Sequence, residues 1–191
     1  MKRLALAIIG LAALSHSLLY GCGNKLLTVN IDALSFMDPT VVEQTYGVDP
    51  IIPAGGVLPA VFEAPPQRIN LTEGLADITD IQSVTLHLAS EFANQTGSAD
   101  VRLQVFISDT ETDPYSTTPY VQEDIHLEPA TTDTISVNIP SSETLGELLT
   151  GEAAQVGIRT TFDSSGSAAN VTGVETLIRF TATVVAKRHI P

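Results

Sequence analysis

The chain has 191 residues, enough for one domain with a true core, and its single cysteine excludes any disulfide within the molecule. Nine basic residues against 22 acidic ones give a formal charge of -13, which excludes a nucleic-acid-binding role by repulsion from phosphate. Tryptophan is absent and aromatic residues make up only 5%, while threonine, valine, serine and isoleucine are plentiful, a composition suited to β-strands.

Met1, Lys2 and Arg3 form a short positive start, and Leu4 to Leu19 is almost wholly apolar. This has the layout of an export signal, and at roughly 16 residues it is shorter than the ~20 a helix needs to span a bilayer. The stretch Leu19-Tyr20-Gly21-Cys22 that follows resembles the lipobox of bacterial lipoproteins. The resemblance implies cleavage before Cys22, attachment of diacylglycerol to its thiol and acylation of its amine. It implies a signal peptide over residues 1–21, a short lipid-anchored linker over 22–26 and a membrane attachment made through the lipid. The absence of aspartate directly after the cysteine implies the outer rather than the inner membrane of a Gram-negative envelope. A thiol suits this modification because it is readily alkylated, and each buried lipid methylene contributes about 0.8 kcal/mol.

A single domain is expected over 27–190. Lys25 to Phe36 alternates, with Leu27, Val29 and Ile31 on one face, which predicts a half-buried strand starting almost at the anchor. Asp38 to Pro66 is dense in proline and glycine, so an irregular segment is expected, with one short strand at Gly56 to Phe62. Gln67 to Thr72 reads as a short strand. Ile81 to Phe92 and Asp100 to Ser108 alternate on either side of a turn at Asn94 to Gly97, and predict a hairpin. Strands are further expected at Tyr120 to Leu127, Asp133 to Ile139, Ala153 to Phe162 and Val174 to Arg188. In the last, Ile178, Phe180, Ala182 and Val184 are placed on the core face. One short helix is expected near 141–150, capped by Ser141 or Ser142, with Leu145, Leu148 and Leu149 inward and Gly151 at its end. Together these predict an all-β fold, an antiparallel β-sandwich of about eight strands with Greek-key, jelly-roll or immunoglobulin-like connections.

Little in the chain points to catalysis. There is no Gly-x-Ser-x-Gly elbow, and His87 and His126 fall at outward strand positions without zinc-ligand spacing, so no enzyme activity is expected. Asp109, Glu111 and Asp113 alternate in a loop after a strand and could gather around Ca²⁺, although the glycine and terminal glutamate of an EF-hand loop are missing. Tyr115 and Tyr120 flank the same loop and could form a small sugar platform. The expected function is therefore a lipid-anchored, extracytoplasmic β-sandwich with a non-catalytic binding or structural role in the cell envelope, its partner an envelope protein or glycan. The alternative is a carbohydrate- or Ca²⁺-dependent adhesion module using the 109–120 loop.

Overall fold

Alternating apolar and polar residues recur through most of the chain, and in a computed structural model the described residues resolve into ten strands in two five-stranded antiparallel sheets. The structure describes residues 25–48, 59–69, 78–150, 154–164, 167 and 169–188. The expected signal peptide, Cys22 and the expected helix stop at Gly151 lie outside the described residues.

The first sheet contains β1 (Lys25–Asp32), β2 (Glu43–Val48), β5 (Ile78–Thr96), β8 (Thr132–Ile139) and β10 (Val171–Arg188), in the order β1-β10-β5-β8. β1 and β2 lie end to end along one side of β10, β2 on its first half and β1 on its second. The second sheet contains β3 (Ala60–Glu63), β4 (Gln67–Ile69), β6 (Ala99–Asp109), β7 (Val121–Leu127) and β9 (Ala154–Asp163), in the order β3-β9-β6-β7, with β4 continuing the line of β3 along β9. Each sheet thus has a broken strand on one edge. The order β8-β5-β10 in one layer faces β7-β6-β9 in the other, and the chain crosses between layers after β2, β4, β5, β7, β8 and β9, a winding of the jelly-roll kind.

Each strand turns one side chain in two toward the gap between the sheets. Val84, Leu86, Leu88 and Phe92 from β5 meet Val101, Leu103, Val105 and Ile107 from β6, and all are essentially sealed from solvent. β10 supplies Phe180, Ala182, Val184 and Ala186 to the same core. Lys25 at the start of β1 pairs with Arg188 at the end of β10, so the two ends of the described fold lie side by side.

The short helix is α2 (Glu143–Thr150). Ser142 caps it, accepting the Leu145 N–H at 3.1 Å, while Ser141 turns away to accept the Val84 N–H, also at 3.1 Å. Leu145 and Leu149 are buried and α2 packs against β5 and β6, closing one end of the sandwich.

Three expectations are corrected. β5 and β6 do not form a hairpin: they lie in opposite sheets, and the turn between them is an arch across the core. Gly97, at φ +66°, turns the chain there, where a Cβ would lie 2.7 Å from the Asn170 carbonyl oxygen. The proline-rich segment is less irregular than expected, for it holds β2 and a single helical turn, α1 (Pro39–Val42), capped by Asp38. Ile178 is not in the core but 48% exposed. A bulge between Leu177 and Arg179 slips the pairing of β10 with β5, so the inward positions change from Val171, Gly173, Glu175 and Leu177 to Phe180, Ala182 and Val184.

Candidate functional site

The loop after β6 carries the carboxylates expected to bind Ca²⁺. Asp109 Oδ1 accepts the N–H groups of Glu111 at 3.0 Å and Thr112 at 2.8 Å. Hydrogen bonding from Thr112 and Glu111 holds its carboxyl below the usual range. Asp113 Oδ1 accepts the Tyr115 N–H at 3.1 Å and caps a 3-10 turn over Pro114–Ser116. These two aspartates are therefore committed to the loop's own backbone, as Asx turns commonly are. The structure does not gather Asp109, Glu111 and Asp113: among the described residues no three His, Cys, Asp or Glu side chains converge to hold a metal ion.

What the loop does is cover the outer face of the second sheet. Phe106 points away from the sandwich core yet is 1% exposed, because Tyr115 lies edge-on to it at 5.4 Å and the Arg159 guanidinium sits 4.7 Å above its ring. Arg159 is fixed in turn by Glu63 at 2.6 Å. The Tyr115 hydroxyl reaches the break between β3 and β4. There it donates to the Ala64 carbonyl and accepts the Ile158 N–H at 3.1 Å, serving β9 where its edge partner is interrupted. Burial pushes the Tyr115 pKa up to about 12. Tyr115 is thus a structural bolt rather than one half of a sugar platform with Tyr120. Tyr115→Phe is expected to cost about 1–3 kcal/mol, since it strands a strand N–H. A lower urea midpoint at unchanged slope would show this, and an unchanged midpoint would mean that water replaces the hydroxyl.

A second feature lies farther along the same face. It is an open groove of about 440 Å³ crossing β9, β6 and β7, with Pro59 at its end. The register builds it in rows. Asp124 on β7 faces Arg102 on β6, which faces Thr161 on β9. One row on, His126 faces Asp100, which faces Asp163. Arg102 grips Asp124 through two bonds of 2.8 and 3.1 Å, holding that carboxyl below its usual range. His126 Nδ1 lies 2.7 Å from Asp100 and its Nε2 3.4 Å from Glu128. The bond to Asp100, more than any other influence, raises the His126 pKa. The ion pair is therefore fully present below the ordinary histidine value and lost as pH rises through the raised one, and its exposure to solvent keeps its effect on stability small. The groove sets carboxylates beside the Arg102 guanidinium and the His126 imidazole on the outer face of the sheet, each basic group already paired with an acid. His87, the other strand histidine, is exposed on the outer face of the first sheet and belongs to no such cluster.

No family model matches this chain, and no curated protein matches it. Among solved structures, similarity is found to infectious bursal disease virus, Gx strain (TM-score 0.39, 12% identity, 87% of this chain and 37% of that one). The Gt strain of the same virus gives TM-score 0.36, 12% identity, and covers 100% of this chain and 43% of that one. Desmodium yellow mottle tymovirus gives TM-score 0.27 at 9% identity, covering 94% of this chain and 99% of that one. The chain thus spans about two fifths of the length of the first two.

Proposed function

We propose that the protein is anchored outside the cytoplasm by a lipid on Cys22 and holds its β-sandwich in the cell envelope in a non-catalytic binding or structural role. The observation that carries this reading is the positive start, the apolar run and Leu19-Tyr20-Gly21-Cys22, in a chain with no other cysteine. The position of β1 supports it, for the strand begins at Lys25, three residues past the cysteine, which would hold the domain close to the membrane. Among the described residues no helix is long and apolar enough to cross a membrane. The acidic surface would keep the domain off anionic head groups. The alternative, adhesion through the 109–120 loop, is weakened because Asp109, Asp113 and Tyr115 are occupied in holding that loop to the sheet.

The test is metabolic labelling with palmitate in the native host. The wild-type protein is expected to take up label and to fractionate with membranes, and Cys22→Ser to do neither. Equal labelling of the serine variant, or none of the wild type, would remove the anchor.

A further inference from the structure

We propose that Glu175 is a proton-operated clasp between the two sheets, closing the β2–β3 side of the sandwich when protonated and loosening it when ionised. The inference is independent of the lipid anchor.

Glu175 lies on β10 between Gln44 of β2 and Phe92 of β5, at an inward position of the strand. Ser90 of β5 donates to its Oε1 at 2.9 Å. Thr160 of β9, in the facing sheet, donates at 3.0 Å to Oε2 and stands 3.2 Å from Oε1. Both hydroxyl-bearing residues are buried, at 0% and 2% exposure. One carboxyl thus ties the layers together. Around it, Val41, Phe62, Ala64, Ile158 and Leu177 wall a cleft of about 10 Å³, roughly the room needed by one water.

Among the described residues nothing cationic answers the carboxylate. From the packed elements α1 gives Val41, β2 gives Gln44 and Tyr46, β3 gives Phe62, β5 gives Ser90 and Phe92, and β9 gives Ile158 and Thr160. Tyr46 is the titratable group among these, and burial pushes it up to about 12, so it stays neutral. Arg159, next along β9, points to the opposite face and is held by Glu63. An ionised carboxylate in such surroundings is costly, and it is relieved by taking a proton or by admitting water. Burial accordingly raises the Glu175 pKa, against the lowering influence of the Ser90 and Thr160 hydrogen bonds.

The sign follows from proton linkage. With the folded value above the unfolded one, the folded state binds more protons in the interval between them. The stabilising contribution is then fully present below the unfolded value and lost as pH rises through the folded one. Above it, the charged group draws water through the cleft, whose walls include α1 and the β2 and β3 edges.

Three measurements on the full chain test this. In a carbon-detected NMR titration of the wild type, the Glu175 carboxyl is expected to titrate above the ordinary glutamate value; a midpoint at or below it overturns the proposal, whether or not any variant folds. In urea melts from about pH 4 to about pH 8, Glu175→Gln is expected to match the wild type in acid and to exceed it increasingly as pH rises. Amide exchange in the β2–β10 and β3–β9 pairs should speed up with pH more in the wild type than in the variant. A gap between the two proteins that does not change with pH also overturns the clasp. So does stability that depends on sodium against potassium at fixed ionic strength, since a bound metal ion would then be neutralising the carboxylate.

Discussion

Phe162→Ala is expected to lower stability by about 3–5 kcal/mol. Phe162, on β9, is 1% exposed and is where the aromatic side chains of both sheets meet. Tyr46 from β2 lies 4.5 Å from its ring centre, Phe62 from β3 stands edge-on at 5.6 Å, and Phe92 from β5 stands edge-on at 6.3 Å. Two of these neighbours belong to the facing sheet, so truncation opens a void between layers that backbones on both sides hold apart. Edge-to-face pairs also contribute about 0.5–1.5 kcal/mol each beyond burial. For a domain of this size the loss corresponds to a fall in Tm of roughly 10 °C. Calorimetry would check it, and a fall of only one or two degrees would show that the sheets collapse into the void. Phe106→Ala makes an informative comparison. Phe106 is equally buried but roofed by a loop and an arginine, groups that can settle onto the sheet, so its loss should be smaller.

Strand existence and facing were legible because one face of nearly every strand is buried, and burial imposes the period-two pattern. β1, β6, β8 and β9 show their expected faces, and the leucines of α2 their expected stripe. Pairing was not legible. Two alternating runs joined by a tight turn look the same whether they hydrogen-bond side by side or face each other across the core, and only the course of the chain at Gly97 separates the two. β2 was hidden by the prolines around it, although Tyr46 and Val48 are both buried along it. The bulge at Leu177–Arg179 had a double effect. Extending the phase of Phe180 backwards places Ile178 inside and Glu175 outside, the reverse of what the slipped register does. An acid between valine and threonine thus read as surface, while the fold makes it the carboxyl that links the sheets.

The same limit applies to the outer face. Asp109 and Asp113 attracted attention through spacing along the chain, but short-range spacing is also what an aspartate needs to cap the backbone two residues on, and that is how both are used. The groove residues Asp100, Arg102, Asp124, His126 and Asp163 become neighbours through register across three strands. No local motif marks them. The available signal was charge at outward positions of strands already assigned, which becomes a site only once the strand order is known.

Gly173→Ala is expected to be more damaging than its single added methyl suggests, with loss of several kcal/mol or failure to fold. The glycine lies on β10 where the pairing with β5 shifts register, opposite Tyr46 on one side and Asn94 on the other. Its φ is not positive, so backbone freedom is not the reason for its presence. The reason is space. A Cβ there would lie 2.6 Å from Tyr46 Cζ, and nearer still to the Tyr46 hydroxyl and the Ala93 carbonyl oxygen. Tyr46 crosses the bare backbone to reach Phe162, with its hydroxyl 3.5 Å from Asn94 Oδ1. A methyl group would push the ring off this path and press against a carbonyl within the sheet, which cannot move without breaking the ladder. The two obstacles can be separated. Tyr46→Phe removes the hydroxyl but leaves the Ala93 carbonyl in place, so the double variant should recover only part of the loss. Full recovery in a urea melt would mean that the tyrosine hydroxyl alone demands glycine at this position; no recovery would place the conflict on the aromatic ring and the strand backbone, both of which phenylalanine leaves in place.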